Sequence, residues 1–238
     1  MTASLYDSPT WRAIFHDPDL APLFSDTAEL RAMLLVMGTL ALTQAKMGLV
    51  PEVSAKAIQR ASMEVQVDPA GLANVTAKTG DPVQALVAAF QFEMKAPEHA
   101  KWVHFESNTA LTAATGLSLR LRQSLKIIAA RRGDVEPLPK TTWLRAYHSD
   151  ATVRAGLATG LGLTDAGGAA PTESITELAD WISEIAMGHS ATTPAQKAIQ
   201  HQIPQMNVAL QTAPEGTEQL VQAMTLPQMM LGLGRLLA

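Results

Sequence analysis

Apolar residues recur at steps of three and four along most of this chain, and no stretch alternates as a strand would. The clearest pattern comes after Trp102, His104 and Phe105, which lead through Glu106-Ser107-Asn108-Thr109 into a long stripe. Leu111, Ala114, Ser118, Leu121, Leu125 and Ile128 share one face of the helix this predicts, and Arg120, Arg122, Gln123 and Lys126 share the other. Asn108 or Ser107 caps its start, Arg131 and Arg132 bring positive charge to its carbonyl end, and Gly133 stops it. At 1.5 Å per residue the helix is roughly 37 Å long, which suits the spine of a bundle.

Turn residues divide the remainder. A short helix fits residues 10–16, and Pro18 and Pro22 break the chain beyond it. Ser25 or Asp26 opens a helix to about residue 47, with Leu30, Met33, Leu34, Met37, Leu40, Ala41 and Gln44 along one stripe. Gly48 ends it and Pro51 opens the next, over 53–64. Asp68 caps a helix to residue 78, and Gly80-Asp81-Pro82 resets the chain into another over 83–93. Beyond the spine, Pro137 and Pro139 mark the best boundary between packing units. Helices are then expected over 150–161, 172–187 and from Thr193-Pro194, the last kinked or divided by Pro204. A final helix over 214–237 is expected to break near Pro227, and residues 162–170 read as a Gly- and Ala-rich loop. The predicted fold is all-α, with an N-terminal helical domain over 1–106 and a helical-bundle domain over 107–238.

Composition supports this and narrows the chemistry. Of the 238 residues 47% are hydrophobic but only 5% aromatic, a balance that favours helix. There is no cysteine, which removes disulfides and thiolate chemistry. His99 and His104 are five apart and lack an HExxH pattern, and no phosphate-binding glycine loop is present, so no metal and no cofactor are expected. A net charge of −4 argues against a nucleic-acid partner. The longest apolar run, residues 32–42, is too short to span a membrane, and the first residues do not read as a signal peptide. The expectation is a cytoplasmic protein without a membrane partner.

Several stretches carry a family resemblance. Residues 23–58 include TQAKMGLVP, residues 68–87 include TGDPVQALV, and residues 101–105 read KWVHF. Residues 151–163, 177–185 and the LPQM of 226–229 add later pieces in the same order. Together they resemble the fumarase/aspartase superfamily, and within it the 3-carboxy-cis,cis-muconate cycloisomerases, which implies a helical-bundle fold of that type in shortened form. The resemblance makes His104 a substrate-side histidine and gives Ser107 and Thr109 a part in holding a substrate carboxylate. From the residues alone, His104 also reads as an imidazole packed beside Trp102 and Phe105, and Ser107 and Thr109 as plain caps.

The departures bear on activity. After its histidine the family has a Gly-x-Thr-Ser-Gln-Asp turn, where this chain has Glu106-Ser107-Asn108-Thr109. Glu106 puts negative charge where the family binds an anion. Between Gly133 and Ala151 the chain has only a short connection where the family carries a catalytic-histidine loop and a pair of core helices, with Thr142-Trp143-Leu144 as a remnant. The signature Gly-Ser-Ser-x-Met-Pro-x-Lys-x-Asn is not found, and the nearest text is HSATTPAQK, residues 189–197. There Ala191 stands at the serine position and Gln196 at the lysine position, and neither side chain can do that acid/base or anion-binding work. The expectation is a catalytically degenerate member acting as a helical binding protein. It would be a homo-oligomer through the 107–132 helix, or a mixed oligomer with an intact family enzyme. The alternative is an active cycloisomerase or lyase on a small polycarboxylate in aromatic-acid breakdown, its site improvised from His104, Ser107, Thr109 and His148.

Overall fold

The computed structural model describes residues 8–133, 143–144, 150–165 and 172–238. The Pro137/Pro139 break, His148 and the end of the 162–170 loop lie outside the described residues. Eleven helices are described: α1 (Arg12–Phe15), α2 (Asp26–Lys46), α3 (Glu52–Glu64), α4 (Pro69–Thr79), α5 (Pro82–Glu93), α6 (Pro97–Ala100), α7 (Thr109–Arg132), α8 (Ala151–Leu161), α9 (Thr172–Gly188), α10 (Pro194–Gln211) and α11 (Glu218–Leu236). The fold is all-α, as the periodicity predicts.

The caps stand where the sequence puts them. Ser25 Oγ accepts the Ala28 N–H at 3.3 Å, Asp68 Oδ1 that of Ala70 at 3.0 Å, and Asp81 Oδ1 that of Val83 at 2.8 Å. Asp150 Oδ1 accepts the Thr152 N–H at 2.7 Å, and Asn108 Oδ1 takes the Leu111 N–H at 3.2 Å to open the spine helix. Each satisfies a donor that the first helical turn leaves unpaired. Gly162 closes α8 with a φ of +64°, a conformation glycine adopts without steric cost.

Two expectations are corrected. Pro204 does not divide α10, nor does Pro227 interrupt α11. An internal proline costs about 3 kcal/mol, but each helix buries apolar residues on both sides of it. In α10 these are Ile199 and Ile203 before and Leu210 after; in α11, Leu226 before and Met229, Met230 and Leu233 after. At roughly 1.5–3 kcal/mol per buried side chain, the continuous face outweighs the lost hydrogen bond. A small strand pair is also present: β1 (Trp143–Leu144) runs parallel to β2 (Thr164–Asp165). Two residues are too few for alternation to show in a sequence.

The chain forms two compact units. One comprises Ser25–Arg120 and Thr142–Pro171, the other Met1–Phe24, Leu121–Thr141 and Thr172–Ala238, so α7 contributes residues to both. In the first unit, α2 is the central element. Its Met33, Leu34, Met37 and Ala41 pack with Ile58 of α3, Leu72 of α4 and Leu86 and Phe90 of α5. A second cluster joins Val36 and Leu40 of α2 to Leu119 of α7 and to Val153, Leu157 and Leu161 of α8. Small residues set these approaches: a Cβ on Gly38 would lie 2.3 Å from Ser62 Oγ, and one on Gly156 2.6 Å from Thr43 Cγ2. In the other unit α9, α10 and α11 pack together, and Ile182, Ile199, Ile203 and Met229 on them are buried. There Arg131 pairs with the fully buried Asp17, and its Nη1 donates to the Gly234 carbonyl at 2.8 Å.

The spine helix differs from expectation in its surroundings. Every residue from Ala114 to Leu121 is buried, so Arg120, assigned by pattern to a solvated face, is enclosed and pairs with Glu29 at 3.2 Å. Leu125 and Ile128, further along the predicted stripe, are likewise buried within a single chain. That stripe leaves no exposed apolar strip on α7 for a second copy.

Candidate functional site

The site is built where the turn after α6 meets the start of α7. Trp102 and Phe105 lie edge to face with centroids 5.0 Å apart, and both pack against the α2–α5 core. Between and after them His104 and Glu106 take left-handed backbone conformations, with φ of +60° and +46°. Each costs a residue with a Cβ about 1–2 kcal/mol, so the surroundings must hold the turn. Gln44, fully buried on α2, does this by donating Nε2–H to the Phe105 carbonyl at 2.8 Å. Glu106 occupies the position that the family resemblance gives to glycine, and its φ is one that glycine adopts freely.

His104 is half-buried, and its Nε2 lies 2.8 Å from Oγ1 of the fully buried Thr112. The Thr112 hydroxyl is also 3.1 Å from the Asn108 carbonyl, to which it can donate. Burial pushes the His104 pKa below its ordinary value, and the Asp81 carboxylate opposes this without reversing it. The imidazole is neutral near pH 7.

Ser107 and Thr109, three and five residues after His104, are both half-buried, Thr109 as the first residue of α7. The structure thus brings His104, Ser107 and Thr109 to one end of the spine helix. Three neighbours do not stand out in the sequence as site residues: Gln44, Thr112 and Asp81. Gln44 does give a signal, because an amide on an apolar stripe needs a buried partner. Asp81 reads only as a cap, and Thr112 falls off the apolar stripe with no motif around it.

The stretch that echoes the signature loop does different work. Thr193 Oγ1 accepts the Gln196 N–H at 3.2 Å, and Gln196 Oε1 accepts the Thr193 N–H at 3.1 Å, a reciprocal capping box that opens α10. Gln196 also accepts the Thr192 N–H at 3.0 Å. His99, the other histidine weighed as a ligand, has its Nδ1 3.1 Å from Ser54 Oγ. Among the described residues no three histidine, aspartate or glutamate side chains gather around a metal-sized space, and no described helix is long and apolar enough to cross a membrane.

The all-helical fold is similar to those of solved lactonizing and lyase enzymes. It matches the crystal structure of 3-carboxy-cis,cis-muconate lactonizing enzyme from Pseudomonas putida with a TM-score of 0.83 at 21% identity, covering 97% of this chain and 74% of that one. It matches a fumarate lyase from Mesorhizobium with a TM-score of 0.75 at 15% identity, covering 94% of this chain and 73% of that one. In sequence, the chain is 34% identical over 135 residues to a 3-carboxy-cis,cis-muconate cycloisomerase of Pseudomonas putida, 56% of this chain but 31% of that protein. No protein-family profile matches it. The chain is thus similar in part to 3-carboxy-cis,cis-muconate cycloisomerases, and the match spans about a third of the length of the curated relative.

Proposed function

We propose that this chain is a catalytically silent relative of the cycloisomerases that acts by binding, as a helical subunit that associates with a second copy of itself or with an intact enzyme of the family. The observation that carries this is the capping box at the start of α10. With Pro194 set against the family proline, Ala191 falls at the serine position and has no group to move a proton, and Gln196 falls at the lysine position, where its amide oxygen is engaged by the Thr192 and Thr193 N–H groups just ahead of α10. Glu106 adds to it, since it is exposed in the same turn of chain as His104 and Ser107 and its negative charge opposes a polycarboxylate there. By this reading His104, Ser107 and Thr109 keep the family's substrate-side geometry without its chemistry. The buried stripe of α7 means that association uses other surfaces, and the exposed Met187, Val208, Leu220 and Met224 of the second unit supply apolar area for it.

Sedimentation velocity tests the association directly, with the chain alone and mixed with the Pseudomonas putida cycloisomerase. The expected result is a species larger than a monomer in one or both samples. A monomer in the first and two unmixed boundaries in the second contradict the proposal.

A further inference from the structure

A second concave site lies in the first unit, along α4 where it faces the start of α2. It is a cavity of about 380 Å³, within the usual range of roughly 300–1,000 Å³ for small-ligand pockets. Leu30, Pro69, Leu72, Ala73 and Pro82 form its apolar walls. Its only charged lining residues are carboxylates, Asp26 and Glu29, one helical turn apart on α2. Asp26 is exposed, and Glu29 is held in place by its 3.2 Å ion pair with Arg120.

The surrounding charge decides the class of ligand. Three helix N-termini come near this cavity, and an N-terminus ordinarily attracts anions. Each is already served by its own cap: Ser25 for α2, Asp68 for α4 and Asp81 for α5. Asp68 and Asp81 immediately precede the lining residues Pro69 and Pro82. Four carboxylates, Asp26, Glu29, Asp68 and Asp81, thus stand in or beside the cavity. Of the positive charges, the buried Arg120 pairs with Glu29 and also feels the charge of Asp26, and Lys78 sits exposed in the last turn of α4. No lysine or arginine lines the wall itself. A ligand that fits has an apolar body for Leu30 and Leu72 and a cationic head for Asp26. We infer that this cavity binds a small organic cation, a primary ammonium carried on an alkyl or aryl group, with the ammonium at Asp26 and Glu29 and the apolar group against Leu30, Leu72 and Ala73.

Two-dimensional amide NMR on the full chain tests this with three matched probes at millimolar concentration: 2-phenylethylammonium, 2-phenylethanol and 3-phenylpropionate. The ammonium should shift the amides of Leu72, Ala73 and Thr76 in a saturable way. The neutral alcohol should bind about tenfold more weakly or worse, and the carboxylate should leave these amides unmoved. Glu29→Gln strips a buried arginine of its partner and risks the fold, so the informative variants are Asp26→Asn and Ala73→Phe, both at exposed positions. Asp26→Asn should weaken the ammonium severalfold and bring it level with the alcohol, and Ala73→Phe should abolish both by filling the cavity, with amide spectra otherwise retained. The inference is overturned if the ammonium leaves the α4 amides unchanged, if alcohol and ammonium bind equally to the native chain, or if Asp26→Asn binds the ammonium as well as the native chain does.

Discussion

At the scale of single residues, His104 shows how burial and hydrogen bonding fix a protonation state. Its Nε2 is hydrogen-bonded with Thr112, Gln44 holds the adjoining carbonyl, and burial pushes its pKa below the ordinary 6.5. The unfolded chain therefore takes up this proton at a higher pH than the folded chain does. Stability from this group is complete above about pH 6.5, falls as pH drops from there to the folded value, and is level below it. A one-dimensional NMR titration should give a His104 imidazole midpoint below 6.5, and Asp81→Asn should lower it further by removing the carboxylate that favours the charged ring. A midpoint at or above 6.5 in the native chain would show that burial does not control this ring. Much of this site is legible in the sequence: the Trp-x-His-Phe run, the polar turn and the cap at Asn108 are all local patterns. The partner Gln44 is 61 positions away from Phe105, and pairings across such a distance leave no periodic trace. The enclosure of Arg120 is illegible for the same reason, because its partner Glu29 belongs to another helix.

At the scale of elements, helix identity and helix ends follow from caps and stripes, whereas helix continuity and close approach follow from packing. Pro204 and Pro227 signal breaks in a sequence, yet both helices run through them because the buried faces on either side outweigh one hydrogen bond. The seam between α2 and α8 is set by four small residues. Gly156 and Gly160 of α8 face Thr43 and Thr39 of α2, whose hydroxyls bond back to the Thr39 and Leu35 carbonyls and so fix their methyl groups toward the glycines. In Gly156→Ala the helix gains about 0.5–1 kcal/mol in propensity, but the new Cβ stands 2.6 Å from Thr43 Cγ2. Overpacking of this kind costs about 1–3 kcal/mol, so the single variant should lose stability in urea unfolding. Thr43→Ser removes that methyl group, and in its background Gly156→Ala should become neutral or stabilising. The same loss in both backgrounds would mean that this contact does not set the helix separation.

At the scale of the whole molecule, the chain has a helical fold similar to that of a solved 3-carboxy-cis,cis-muconate lactonizing enzyme, while its candidate chemistry departs, by the proposed reading, from the resembled pattern at three places. By the proposed correspondence Glu106 falls in the turn that the resemblance gives to carboxylate binding; with Pro194 set against the family proline, Ala191 falls at the serine position and Gln196, bound into a helix cap, at the lysine position. Fold kinship does not by itself confer activity. The reading of this protein as a binding relative rests on those three residues more than on any feature of its architecture. Its most direct test is the turnover of 3-carboxy-cis,cis-muconate by the purified chain, with folding verified by circular dichroism and the reaction followed by ultraviolet absorbance. The account predicts no loss of substrate absorbance beyond the buffer rate, for the native chain and for His104→Ala alike. Turnover by the native chain that His104→Ala abolishes would contradict it, and would make the His104 turn a working active site.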